Sequence, residues 1–227
     1  MTSPNDTGVF TWNGPPVAVP VPSVPASRLP ALAVKRALDI AFSLALLALA
    51  APVLAVAALA VRATSHGRAF FVQERIGHRC KRFRMYKLRT MVNGSEHEED
   101  RLASENGRGV FFKLEDDPRI TRVGRWLRRY SIDEIPQLLN VLRGDMSLVG
   151  PRPPLLSDFE RFPRHHRRCF AMKPGLTGLW QVSGRSLLPD RERFRLDAEY
   201  VERWSLALDL RILARTVPAV LSGRGAS

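Results

Sequence analysis

The chain has 227 residues, enough for one domain with extensions and a sizeable core. Its formal charge of +13 points to a polyanionic partner: nucleic acid, an anionic membrane surface or phosphorylated small molecules. The basic residues are interleaved with apolar ones and form no single tail, which favours membrane or phosphate over nucleic acid. The two cysteines, Cys80 and Cys169, lack metal-type spacing, which argues against a disulfide framework and fits a reducing cytosolic face.

Residues 1–30 are rich in Pro, Val and Ser, with no helical or strand period, and read as a disordered lead. They are not a signal peptide, because no basic start runs directly into an apolar stretch. Residues 40–61 carry no charge at all. As a helix of about 22 residues they would cover roughly 33 Å, enough to cross the hydrocarbon core. Lys35, Arg36 and Asp39 precede them; Arg62, Arg68 and Arg75 follow. One spanning helix is the plain reading. Pro52, just past the middle, breaks the helical ladder, and basic residues on both flanks give no orientation by the positive-inside rule. A helix that enters, breaks at Pro52 and returns fits equally, and a buried soluble helix fits less well.

From Phe70 onward the pattern is that of a compact α+β or mostly helical domain. The apolar runs at Phe70-Phe71-Val72 and 83–88 predict short strands around a turn at Gly77. Residues 95–103, with His97 among Glu96, Glu98, Glu99 and Asp100, predict a solvated acidic helix rather than a cation site. Arg119, Arg122, Arg125 and Arg128 recur every three residues, which predicts one basic helical face, for a membrane surface or for phosphate. His165-His166 reads as solvated, and the five histidines make no metal constellation.

Residues 131–142 predict a helix beginning near Ser131 to Asp133, with Pro136 close to its start. Ser131 and Glu134 have capping-box spacing. Asp133 and Glu134 then read either as ordinary first-turn carboxylates or as a nucleophile with a metal-binding or assisting neighbour. A helix N-terminus suits a phosphoryl group. Residues 143–154 hold two glycines and three prolines, predicting a tight loop in which Arg152, between prolines, is a fixed fork for phosphate or carboxylate. Residues 173–185 form a second Gly-rich loop that is neither a Walker loop nor a dinucleotide fingerprint. Residues 197–221 mix aromatic, aliphatic and Arg side chains, as an interfacial helix or ordinary core packing would.

In order and spacing these segments resemble the bacterial sugar transferases, the monotopic phosphoglycosyl transferases, over residues 35–221. The resemblance is carried by Lys35-Arg36-x-x-Asp39, Gln73-x-Arg75-x-Gly77, Tyr86-Lys87-x-Arg89-Thr90-Met91 and Asp117-Pro118-Arg119. It continues in Leu127-Arg128-x-x-Ser131-x-Asp133-Glu134-x-Pro136-Gln137, Gly144-Asp145-Met146-Ser147-x-Val149-Gly150-Pro151-Arg152-Pro153 and Pro174-Gly175-x-Thr177-Gly178. It implies an α+β, mostly helical fold with a re-entrant helix-break-helix at Pro52, interfacial helices and a small cytoplasmic catalytic domain. The implied division is lead 1–30, re-entrant helix 31–64, catalytic domain 65–221 and tail 222–227. The family often has Ser before that proline; here it is Ala51, so the break rests on Pro52 alone. Some family members also carry several spanning helices ahead of this core, and without them this sequence would have the minimal form.

The resemblance further implies transfer of a hexose-1-phosphate from a UDP-sugar to polyprenyl (undecaprenyl) phosphate, with release of UMP. Asp133 is the implied nucleophile and Mg²⁺ contact, with Glu134 beside it. Lys87, Arg128, Arg152 and Arg185 look like the phosphate and nucleotide ligands. Residues 179–185 look more like glucose- or galactose-phosphate transferases than those using N-acetylated amino sugars. The implied setting is the cytoplasmic face of the plasma membrane in exopolysaccharide, capsule or O-antigen assembly, with an anionic lipid surface as partner, no nucleic acid, and a homodimer allowed. The rival readings are a glycosyltransferase releasing UDP and a non-enzymatic basic membrane-binding module.

Overall fold

The computed structural model describes residues 25–92, 94–95, 117–159, 162 and 164–223. The sequence-predicted lead up to residue 24, the acidic helix beyond Ser95, the side chains of His165 and His166 and the last four residues lie outside these. The described fold is mostly helical, with two small sheets.

The first helix, α1 (Leu29–Thr64), is 36 residues long, with Pro52 inside it. At 1.5 Å per residue it is roughly 54 Å long, enough to cross a membrane by length and composition. Its middle is bare: Leu44, Leu49, Val53, Val56 and Leu59 are exposed. Both ends are packed on the body. Near the start, Lys35, Asp39 and Ser43 repeat every four residues and are all buried, so α1 carries one polar stripe on its inward face. Near the end, Ala57 and Val61 join Ala69, Leu88 and Leu127 in an apolar cluster. Arg89 continues this second attachment by donating from Nη2 to the Ser65 carbonyl at 3.0 Å.

The body opens with the hairpin expected around Gly77. Strands β1 (Phe70–Ile76) and β2 (Arg82–Leu88) pair antiparallel, from Phe70 opposite Leu88 to Ile76 opposite Arg82. Three short elements follow: α2 (Arg122–Arg129), a 3-10 segment (Ile132–Gln137) and α3 (Leu138–Arg143). The basic face predicted for 119–130 divides. Arg119 precedes α2 and pairs with Asp117 at 2.6 Å, Arg122 and Arg125 are exposed, and Arg128 turns inward. The reason is that a three-residue spacing falls about 60° short of a full turn at each step, so the arginines spiral off one face.

The predicted loop at 143–154 contains a strand the sequence did not announce. β3 (Ser147–Val149) pairs in parallel with β4 (Gly175–Thr177), Ser147 opposite Gly175 and Val149 opposite Thr177. Gly150 is required there, because a Cβ on it would stand 2.3 Å from the Lys173 carbonyl oxygen. After α4 (Leu156–Phe159) and a 3-10 segment (Arg164–Ala171), the chain ends in α5 (Asp190–Arg203) and α6 (Leu206–Ser222). Tyr200 of α5, Trp204 in the link between the helices and Ile212 of α6 join a core shared with Met85, Leu138, Val141, Met146, Leu148, Val149 and Met172. Leu210, Val217 and Leu221 of α6 are exposed.

Charged side chains tie α1 to this core. Lys35 Nζ donates to Asp209 Oδ2 at 2.6 Å, and Asp39 Oδ1 accepts from the Leu148 amide at 3.1 Å. Asp209 also accepts from the Tyr200 hydroxyl at 2.8 Å and the Trp204 indole at 3.2 Å. Arg36 donates to the carbonyls of Val141 and Leu142, capping the last turn of α3. Removing one side of a buried pair strands the other, which costs about 3–5 kcal/mol. Asp209→Ala is therefore expected to lower the unfolding midpoint sharply, and Lys35→Met/Asp209→Leu together to recover most of the loss. Thermal unfolding of both variants in one detergent checks this.

Candidate active site

Each segment that brings a charged group to the site is fixed by a short-range contact. β2 carries Lys87 and is held to α3 by Asn140, which is fully buried. Its amide oxygen accepts from the Tyr86 amide at 3.0 Å, and its nitrogen donates to the Arg84 carbonyl at 2.6 Å. One side chain thus mimics a neighbouring strand. Helix α2 is set by Thr121, whose hydroxyl caps it by accepting from the Gly124 amide at 2.9 Å. A Cβ on Gly124 would stand 2.0 Å from the Thr90 carbonyl oxygen, so only glycine lets α2 lie against the end of β2. Arg128 at the far end of α2 then reaches Thr90 Oγ1 at 2.9 Å through Nε.

Between α2 and the 3-10 segment stands Ser131, at φ 54° and ψ 24°. This left-handed conformation in a non-glycine residue stores strain of about 1–3 kcal/mol and reverses the chain sharply. The capping box expected of Ser131 and Glu134 is consequently not made. A capping serine needs extended backbone, and Ser131 makes no side-chain cap. Its hydroxyl faces Arg185 Nη2 at 3.4 Å instead. The expected helix does start at Ile132, as a 3-10 segment that passes into α3 after Gln137.

The six residues singled out from the sequence, Asp133, Glu134, Lys87, Arg128, Arg152 and Arg185, line one cleft of about 750 Å³. That is the size of a site for a nucleotide-sized ligand. Asp133 lies deep, 7% exposed. Burial pushes its carboxyl up to about 6 and the charge of Glu134 adds to this, while Lys87 and Arg128 oppose it. Lys87 Nζ contacts Glu134 Oε1 at 2.8 Å, so the lysine stands between the two carboxylates' fields. Burial lowers the pKa of Arg128 and Arg185, but a guanidinium stays charged under any working condition. A carboxylate on the floor, ringed by fixed cations, is suited to attack on a phosphoryl group whose charge the cations neutralise.

Sequence reasoning missed several lining residues. Gln73, Arg75 and the bidentate Asp117–Arg119 pair were recognised as motif members but not as site residues; all four line the cleft. Trp180, with Arg152 5.6 Å and Arg193 5.3 Å from its ring centroid, was not singled out. Leu46 and Ala50 of α1 and Leu213, Val217 and Val220 of α6 form an apolar wall continuous with the bare middle of α1. No group of three or more His, Cys, Asp or Glu suited to a metal occurs among the described residues. Asp133 and Glu134 are an oxygen donor set that fits Mg²⁺ shared with substrate phosphates, which needs only one or two protein carboxylates.

With this geometry in view, the chain belongs to the bacterial sugar transferase family, whose sequence model matches residues 30–223. It is 46% identical over 162 residues to "Galactosyl transferase CpsE" of Streptococcus agalactiae serotype III (strain NEM316), covering 70% of this chain and 36% of that protein. It is 41% identical over 198 residues to "Exopolysaccharide production protein ExoY" of Sinorhizobium fredii (strain NBRC 101917 / NGR234), covering 84% of this chain and 87% of that protein. It is 45% identical over 210 residues to "UDP-glucose:undecaprenyl-phosphate glucose-1-phosphate transferase" of Caulobacter vibrioides (strain ATCC 19089 / CIP 103742 / CB 15), covering 87% and 74%. The chain thus spans about a third of the streptococcal relative and most of the other two.

Folding raises the Asp133 pKa from the ordinary 3.8 to about 6, so the native state favours the protonated form. That stabilisation is complete below about pH 4 and is lost as pH rises through 6. Asp133→Asn is therefore expected to be more stable than wild type above pH 6, by on the order of 2–3 kcal/mol, with the gain fading towards pH 4. Denaturation midpoints measured across that range in EDTA check the sign and the window.

Proposed function

We propose that this protein transfers a hexose-1-phosphate from a UDP-sugar to a polyprenyl phosphate, releasing UMP, through a phosphosugar carried covalently on Asp133. The observation that carries the reading is the buried Asp133 carboxylate in a cleft lined both by basic side chains, Lys87, Arg128, Arg152 and Arg185 among them, and by apolar residues of α1 and α6. The names of the Streptococcus, Sinorhizobium and Caulobacter relatives support it, since they describe a galactosyl transferase, exopolysaccharide production, and glucose-1-phosphate transfer to undecaprenyl phosphate. Glucose and galactose are accordingly the donors to test first.

In this reading the Asp133 oxygen bonds to the sugar-bearing phosphorus as the phosphorus–oxygen bond to UMP breaks, and the electron pair leaves on the UMP phosphate. A polyprenyl phosphate oxygen then bonds to the same phosphorus and the carboxylate departs unchanged. A carboxylate is a weak nucleophile, so positioning and charge neutralisation must supply most of the rate. Lys87 keeps Glu134 paired and lowers the Asp133 pKa, which leaves Asp133 ionised at neutral pH. Arg128, Arg152 and Arg185 present fixed donors to the phosphate oxygens. When bound on Asp133 and Glu134, Mg²⁺ would neutralise the diphosphate charge.

We further infer that α1 is re-entrant and that the body lies on the cytoplasmic side of the plasma membrane. Lys35 at one end of α1 pairs with Asp209, and Ser65 just beyond the other end accepts from Arg89, both within the same body. A helix crossing the bilayer would hold those ends apart by the roughly 30 Å hydrocarbon core. Pro52 removes a helical donor at the exposed middle, where a bend is needed. The bare apolar middle then sits among acyl chains, and the apolar wall of the cleft opens toward the lipid-borne acceptor.

Full-length protein in nanodiscs, given Mg²⁺, a polyprenyl phosphate and a panel of UDP-sugars, is expected to release UMP from UDP-glucose or UDP-galactose. Asp133→Asn is expected to lose at least about a thousandfold of this rate. Release of UDP, or UMP release that survives in Asp133→Asn, would overturn the reading.

A further inference from the structure

Arg193 has no part in the chemistry above, yet it is 7% exposed and lines the same cleft. It stands on α5, one turn before Asp197, so both side chains leave the same face of the helix. Asp197, 2% exposed, accepts from the backbone amide of Arg152 and so pins the loop that carries that residue. Arg193 itself is steadied by donating from Nη2 to the Ser186 carbonyl at 2.8 Å, with Asp190 Oδ1 at 3.7 Å. The result is two guanidiniums against one indole: Arg152 5.6 Å and Arg193 5.3 Å from the Trp180 ring centroid. Burial lowers the Arg193 pKa, Asp190 opposes this, and the like charge of Arg152 adds to the lowering. Two cations set against one indole in the same cleft are poised for a doubly charged anion.

In-line displacement says which anion. Asp133 enters opposite the leaving UMP, so the phosphate that later expels Asp133 must enter from the side UMP left. Both groups on that side are phosphate monoesters, one departing with an extra negative charge and one arriving. We propose that Arg152 and Arg193, seated on Trp180, form a single phosphate-monoester subsite occupied in turn by the departing nucleotide and the incoming polyprenyl phosphate. This rests on the reading that Asp133 carries the phosphosugar, and it adds Arg193 as a ligand of both phosphates.

Binding measurements test this without turnover. The full chain in nanodiscs is titrated with UMP and with uridine, and polyprenyl phosphate is used to displace bound UMP. Arg193→Met is expected to weaken UMP and polyprenyl phosphate alike by about 10- to 100-fold, the scale for a hydrogen bond to a charged group. Uridine binding should be unchanged, and Arg193→Lys should recover part of the loss, since it keeps the charge without the fork. Arg193→Met also gives up the bond to the Ser186 carbonyl and the pairing with Asp190, so its ligand-free unfolding midpoint should fall modestly, and unchanged uridine binding is the readout that separates loss of a phosphate ligand from loss of the fold. A loss confined to one phosphate ligand, an equal loss for uridine, failure of polyprenyl phosphate to displace UMP, or no loss at all would overturn the proposal. If the wild type binds as expected but releases no UMP from any donor, the failure belongs to the transferase reading instead.

Discussion

Lys35 and Asp209, buried against each other at 2.6 Å under the polar stripe of α1, lock that helix to the core of the body. A charged pair out of water survives only when its remaining donors and acceptors are met. Here Tyr200 of α5, Trp204 just beyond its end and the Leu148 amide of β3 meet those of Asp209 and Asp39. The pair therefore fixes α1 against β3, α5 and α6 simultaneously, in both register and rotation. Arg36, one residue on, extends the lock to the carbonyl end of α3, whose other end is continuous with the segment bearing Asp133. The depth of the Asp133 carboxylate relative to the bare apolar surface of α1 is thus set by side chains, Lys35, Arg36, Asp39 and Asp209, that lie outside the cleft.

The same physics works in the opposite sense at Asp133. There burial is not fully compensated, and the carboxyl is pushed up to about 6 rather than down. A buried carboxylate with incomplete pairing destabilises the fold at neutral pH, and it is also a less solvated, more available nucleophile. Lys87 and Arg128 supply enough positive field to keep it ionised. Ser131 in its left-handed turn and Gly124 against Thr90 contribute the backbone strain and close approach that bring those cations to it. Stability is given up locally at Asp133, where the proposed function puts the chemistry, while the buried charges of the α1 attachment are paired.

What the sequence disclosed follows the range of the forces involved. The hairpin was legible because two apolar runs flank Gly77 within a short stretch, and α1 because its charge-free run has no other use. The six cleft residues were legible through ordered motifs, since the cleft is built from segments each short enough to read. The capping box failed because the spacing of Ser131 and Glu134 is silent about the positive φ at Ser131. The three-residue pairing of β3 with β4 is too short to leave a period. Asp209 and Tyr200 sit in a helical stretch that reads as core or interface, and only a chain reversal over more than 170 residues brings Asp209 to Lys35. Arg193 was hidden among neighbouring arginines of α5, of which Arg195 is held on the surface by Glu192 and Glu199. A charge expected on the outside of an amphipathic helix, one turn from an aspartate that must be buried, was the available signal.

The central claim is that Asp133 carries the sugar phosphate. Intact-protein mass spectrometry of the wild type, incubated with Mg²⁺ and its UDP-sugar in the absence of any polyprenyl phosphate, tests it most directly. The account predicts a mass increase of one hexose phosphate, located on the peptide containing Asp133, absent in Asp133→Asn and discharged when polyprenyl phosphate is added. An unmodified protein that releases UMP only when the acceptor is present would contradict it, and would mean that the acceptor attacks the UDP-sugar directly.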